Sequence, residues 1–219
     1  MKTVALFGGA FDPPTLGHET IVKKVSQIVD QVWVVPCGDH PFGKKMAPFQ
    51  DRVAMCQEVF LTPETNGKVS VITDTGSPSD LTFDVLNTLS FDVRHKDLSF
   101  YPVIGLDEAK IISHWYRWKE LISQYRFIVV ERGYDVHGTS QLELFYWRKY
   151  HIYFAPDSGI PGTSSTLARR NISYLNDKQL CKKWGSLDDM YEQELSLQVS
   201  RRIFDYAVKH RLYSECSDL

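Results

Sequence analysis

The chain has 219 residues, 43% hydrophobic and 24% charged, with a formal net charge of −2. This composition excludes a disordered chain, and the absence of a basic excess argues against a general nucleic-acid binder. Cys37, Cys56, Cys181 and Cys216 form no C-x-x-C pair and no His spacing completes a zinc site, so reduced thiols in a cytoplasmic protein are expected.

The apolar run at residues 3–7 is too short for a secretory signal, and no stretch reaches the length of a membrane span. Similar runs, rich in β-branched and aromatic residues, recur at 32–35, 69–72, 100–104, 127–130 and 152–154. Between them apolar residues fall at helical spacing: Ile21, Val22, Val25, Ile28 and Val29; Val53, Met55, Val59 and Phe60; Val85, Leu86 and Leu89. Strands alternating with helices predict an α/β fold with a parallel sheet, and continuous apolar strands predict helices on both of its faces. Leu195, Val199, Ile203 and Ala207 follow at intervals of four and predict one long amphipathic helix near the C-terminus. With no repeat and no linker, the expectation is a single domain over 1–219 whose helical C-terminal part begins near residue 163.

In such a sheet, ligands bind beyond the carboxyl ends of the strands, so the strand-to-helix turns come first. The first strand leads into Gly8-Gly9-Ala10-Phe11-Asp12-Pro13-Pro14-Thr15-Leu16-Gly17-His18. Two glycines allow a tight turn, and a helix opening near Thr15 would aim free N–H groups at the sheet's mouth, an anion site. Thr15 and His18 share one face of the first turn and can act as a donor pair. Taken singly, Thr15 is an ordinary N-cap and His18 an ordinary solvated residue. The stretch is neither a G-x-G-x-x-G fingerprint nor a P-loop. Late in the chain stands Gly162-Thr163-Ser164-Ser165-Thr166-Leu167-Ala168-Arg169. Small hydroxyl residues opening a helix, with an arginine in the following turn, form a second phosphate-binding candidate, or else a capped surface helix.

The first of these stretches resembles the His/Thr-x-Gly-His signature of the nucleotidylyltransferase superfamily, and the second resembles its Ser-Ser/Thr-Thr-x-x-Arg motif. The middle of the chain is similar to the nicotinamide/nicotinate mononucleotide adenylyltransferases: Gly105-Leu106-Asp107 stands where that family has Gly-Ala-Asp, and Trp115 follows at the family's distance. The segments around Lys44, Thr82, Arg132 and Tyr206 to Tyr213 agree. The resemblance implies a Rossmann-like fold and adenylyl transfer from ATP to nicotinamide and/or nicotinate mononucleotide, a step in NAD biosynthesis. It implies that Gly8, Gly9, Ala10, Phe11, Thr15, His18, Gly105, Asp107, Ser164, Ser165, Thr166 and Arg169 bind ATP. Lys44, Thr82, Trp115 and Arg132 would bind the mononucleotide, and His18, Thr15, Arg169 and Lys44 would be catalytic. Trp115 and Trp118 are also natural core residues. Mg²⁺ would accompany ATP, held by phosphate oxygens and water rather than by protein ligands. The expected partners are small molecules, with no nucleic acid and no membrane; a homo-oligomer is compatible. The rivals are a phosphopantetheine-type adenylyltransferase, a cytidylyltransferase and a non-catalytic nucleotide sensor.

Overall fold

Each of the six apolar runs becomes a strand in the computed structural model, which describes residues 1–38, 45–65, 67–77, 79–131, 141–155, 159–174 and 186–213; of residues 141–144 only the backbone is described. The strands are β1 (Lys2–Gly9), β2 (Gln31–Pro36), β3 (Val69–Val71), β4 (Leu98–Gly105), β5 (Ile128–Val130) and β6 (Ile152–Phe154). All pair in parallel, in the order β3-β2-β1-β4-β5-β6.

The chain first moves outward through β2 and β3. It then crosses back to β4 and continues to β5 and β6, so right-handed connections place the two sets of helices on opposite faces. Alternation along β1 divides the core accordingly: Ala5 and Phe7 point into one cluster, Val4 and Leu6 into the other. The first cluster is closed by α1 (Leu16–Val25), α2 (Phe49–Phe60), α7 (Ser165–Ser173) and α9 (Arg201–Lys209). The second is closed by α3 (Thr82–Phe91), α4 (Leu106–Lys110), α5 (Trp118–Gln124) and α6 (Gln141–Tyr150). A short helix α8 (Leu187–Met190), which runs on as a π-helical turn at Tyr191–Leu195, completes the first face. Among the described residues no helix is long and apolar enough to cross a membrane.

Two periodicity readings are corrected. Ile28 lies beyond the end of α1 and is 49% exposed, because the helix stops at Val25 with Ser26 as its cap. The long C-terminal helix is two segments. Ser200 takes an extended conformation as N-cap of α9, so Leu195 and Val199 reach the same core from the preceding turn and loop.

α9 ends in a Schellman arrangement. The Leu212 N–H donates to the Ala207 carbonyl at 2.9 Å and the Arg211 N–H to that of Val208 at 3.1 Å. Arg211 holds the left-handed position (φ 52°) that glycine usually fills, and Tyr213 follows at φ 61°. The turn buries Leu212 in the first cluster and sends Tyr213 back toward the sheet.

At the opposite edge, His151 is buried among Phe127, Tyr146 and Trp147, and its Nδ1 accepts the Phe127 N–H at 3.1 Å. Burial, with Arg126 as a lesser cause, lowers its pKa from 6.5 to about 4. The unfolded chain therefore takes up this proton first, near pH 6.5. The contribution of neutral His151 is complete above pH 6.5 and is lost as the pH falls toward 4. Thermal melting followed across that window should show a falling Tm, and His151→Asn, which keeps an acceptor for Phe127, should flatten the decline.

Candidate active site

The carboxyl ends of β1 and β4 lie side by side at the centre of the sheet, where the connections depart to opposite faces. The β1–β4 register ends at Leu6 and Pro102; beyond it Gly9 pairs with Pro36 of β2 and Gly105 with Val130 of β5. This switch point is the place where an open α/β sheet leaves a crevice.

The loop after β1 forms one wall. Its left-handed residue is Phe11 (φ 46°) rather than either glycine. The Phe11 ring turns inward against Phe7, His18 and Phe60, and a Cβ on Gly9 would meet that ring at 3.2 Å. Gly9 is thus small because a ring packs on it, and only the backbone of Phe11 can face a ligand.

Thr15 caps α1 and is 1% exposed. Its N–H donates to His18 Nδ1 at 3.0 Å, and its Oγ1 lies 2.9 Å from the same nitrogen. A backbone N–H can only donate, so Nδ1 is an acceptor and the neutral ring carries its proton on Nε2. His18 is therefore oriented as a donor, with Thr15 supporting it from behind.

The late Ser/Thr stretch closes directly on this wall. The Gly17 N–H donates to Thr163 Oγ1 at 3.1 Å, and Thr163 Oγ1 donates in turn to Thr15 Oγ1 at 2.7 Å. Ser165 Oγ donates to the Pro13 carbonyl at 2.8 Å. Ser164 caps α7 by accepting the Leu167 N–H. Arg169, with a side chain 16% exposed, donates to the Asp12 carbonyl, lies 3.4 Å from Asp12 Oδ2, and reaches Thr166 Oγ1 at 3.1 Å. The two motifs, about 150 residues apart in sequence, form one structure.

The expected anion site at free α1 amides is corrected. The Leu16 N–H donates to the Gln198 carbonyl, and the Gly17 N–H is taken by Thr163. The Gln198 side chain also accepts the Ser164 N–H at 2.8 Å, so this one residue ties down the openings of both helices. The first amides of α1 are thus occupied, and the half-buried His18 ring lies between Thr15 and the rings of Phe7 and Phe11.

Three groups that the motifs did not flag hold the wall in place. Asp12, 1% exposed, accepts from the Ala47 N–H at 3.1 Å and the Tyr213 hydroxyl at 3.0 Å, besides its contact with Arg169. Arg52, also 1% exposed, donates to the carbonyls of Ala10, Gly38 and Ala47 at 2.8, 2.9 and 3.0 Å. Thr163 joins the motifs as described. Arg52 had a legible signal: it lies on the same helical stripe as the buried Met55, Cys56 and Val59, and a charge on an apolar stripe needs fixed acceptors. Cys37, at the end of β2, has its thiol pKa raised, chiefly by burial.

On the second face, Gly105 caps α4 and Asp107 lies exposed in its first turn; Leu106 between them is fully buried. Thr82 opens α3. Its neighbour Phe83 carries the Arg117 guanidinium over its ring at 4.2 Å and touches Tyr116 edge-on, which brings the start of α3 to the Trp115 loop. Trp115 and Trp118 are both half-buried against the second cluster, so packing does not separate them. Asp80 accepts the Gly38 N–H at 2.8 Å and joins this side to the end of β2. Lys44 and Arg132 lie outside the described residues.

The fold and the paired motifs define a nucleotide-binding α/β protein built around a sheet switch point. A cytidylyltransferase-like family model matches residues 6–171, and the chain belongs to that family of nucleotidyltransferases. A Myxococcus xanthus protein named probable nicotinate-nucleotide adenylyltransferase is 40% identical over 141 residues, 62% of this chain and 72% of the relative. A Bacillus pumilus protein of the same name is 27% identical over 97% of this chain and 99% of its own length. The solved Plasmodium falciparum nicotinic acid mononucleotide adenylyltransferase complexed with APC superimposes with a TM-score of 0.75 at 24% identity, covering 98% of both chains. Its complex with NaAD gives 0.74 at 25% identity over the same share.

A Cβ at Gly17 would stand 2.5 Å from Thr163 Oγ1 and 3.0 Å from the Pro161 carbonyl. Gly17→Ala should therefore push the two motifs apart, costing about 1–3 kcal/mol. Denaturant unfolding would show the loss, and calorimetric titration should show weakened ATP binding beyond it.

Proposed function

We propose that the chain transfers the adenylyl group of ATP to nicotinate mononucleotide, giving deamido-NAD and pyrophosphate. The observation that carries this reading is the junction of the two motifs at the switch point through Thr163, Ser165 and Arg169. The names of the relatives point to the same acceptor.

The acceptor phosphate is already ionised, so no base is required. One of its oxygens bonds to the α-phosphorus while the bond from that phosphorus to the bridging oxygen breaks, and pyrophosphate leaves. Catalysis then rests on positioning and on donors aimed at the developing charge. His18 donates from Nε2 to a phosphate oxygen, with Thr15 holding the ring. Ser164, Ser165, Thr166 and Arg169 hold the β and γ phosphates at the start of α7. Gly8, Gly9, Ala10 and the Phe11 backbone line the nucleotide, and Gly105 and Asp107 receive the ribose. Lys44 takes the mononucleotide phosphate, while Thr82, Trp115 and Arg132 form the ring side.

Mg²⁺ enters with ATP, held by phosphate oxygens and water. Among the described residues no three His, Cys, Asp or Glu side chains stand together, and Asp12, the carboxylate within the loop, is taken up by Arg169, Tyr213 and the Ala47 amide. A cytoplasmic setting belongs to the same reading.

Incubation with Mg-ATP and nicotinate mononucleotide should release pyrophosphate, with nicotinamide mononucleotide and phosphopantetheine as parallel arms. Release only with phosphopantetheine, or with none of them, would overturn the proposal. Removing one donor aimed at developing charge costs about 3–4 kcal/mol, so His18→Ala should lower kcat by roughly a hundredfold or more while the melting curve stays close to wild type. Trp115→Ala should raise KM for the mononucleotide and leave that for ATP unchanged; an unchanged mononucleotide KM would return Trp115 to the core.

A further inference from the structure

Tyr213 stands about 200 residues from the first loop and yet reaches it. Its hydroxyl donates to Asp12 Oδ1 at 3.0 Å. The backbone that delivers it is held out of its preferred region twice: Arg211 and Tyr213 both take left-handed φ, and neither is glycine. Such conformations persist where surrounding contacts over-determine them, and they gather at functional sites. Here the Schellman bonds and the buried Leu212 fix the turn, and the Tyr213 hydroxyl is its outcome.

The acceptor is a shared one. Asp12 is almost wholly buried, and its described donors are Arg169, the Ala47 N–H and Tyr213. A buried carboxylate takes its direction from its donors, and removing one leaves an oxygen short of a partner. Since Arg169 contacts both the carbonyl and the carboxylate of Asp12, the guanidinium sits where Asp12 holds it.

We propose that Tyr213 is a positioning residue for adenylyl transfer: through Asp12 it fixes the place of the Arg169 guanidinium, so that the segment after α9 sets the geometry of the triphosphate grip. This rests on the function proposed above. Burial, then Asp12, raises the Tyr213 pKa well above 10, so the hydroxyl remains a donor throughout the working range.

Tyr213→Phe removes the hydroxyl and keeps the ring. Losing a hydrogen bond to a buried charged group should lower kcat/KM for ATP about tenfold, with the mononucleotide KM unchanged and the melting temperature within a few degrees. The discriminating measurement is a double-mutant cycle with Arg169→Lys. If Tyr213 acts through Arg169, adding Tyr213→Phe to the lysine variant costs less than about twofold. A tenfold loss reproduced in full on that background, a loss shared equally with the mononucleotide KM, or wild-type kcat/KM in Tyr213→Phe would each overturn the proposal. Wild-type turnover is measured alongside, so an inert wild type would point to failure of the functional reading instead. In that case calorimetric ATP affinity in the same four proteins tests the coupling directly.

Discussion

A carboxylate withdrawn from water must find donors inside the protein, and the Asp12 side chain imposes that requirement on three distant parts of the chain. Arg169 comes from α7, the Ala47 N–H from the segment leading into α2, and the Tyr213 hydroxyl from beyond α9. None of the three is near Asp12 in sequence. Burial makes each of them necessary, because a buried charge lacking its partners is far more costly than one fully satisfied. Arg52 does the complementary work nearby: a buried cation that collects three carbonyls and holds the ends of the first loop, of β2 and of the approach to α2 in one place. The first wall of the crevice is held by two opposite charges, Arg52 tied to three backbone carbonyls and Asp12 to the Ala47 amide and two side chains.

Much of the architecture was legible because it is local. Continuous β-branched runs mark strands covered on both faces, and all six lie where the residues place them. The two motif stretches were visible because each is a contiguous run of small and hydroxyl residues that ends in a helix opening. Tertiary relations left no such trace. Nothing in the spacing of Asp12, Arg169 and Tyr213 announces that they meet. The α1 amides looked free only because Gln198 and Thr163, which take them, lie more than 140 residues away. Leu195 and Val199 mimicked a helix because a loop can bring residues spaced by four into one core as well as a helix can. The helix α6 went unread since three of its aromatic residues, Phe145, Tyr146 and Trp147, are consecutive and form no stripe at helical spacing.

The Thr15, Thr163 and His18 contacts show how capping and chemistry share one set of atoms. A helix start needs acceptors for its orphan donors, and an imidazole that donates from Nε2 needs a fixed tautomer. The Thr15 N–H meets both needs with one bond to Nδ1. Thr163 adds a hydroxyl that accepts from Gly17 and donates to Thr15, so the second motif supports the first before any ligand arrives.

The two-cluster core has a consequence for how such a protein diversifies. Thr15, His18 and Arg169 stand on α1 and α7, which pack with α9 on one face of the sheet, whereas Thr82, Asp107 and the Trp115 loop belong to the other. The backbone of β1 and β4 lies between the two clusters, so repacking the second face reaches the first only through the sheet and contacts such as Asp80 with Gly38. On the proposed function, the acceptor side can therefore be remodelled within one layer while the layer that carries Thr15, His18 and Arg169 is inherited intact.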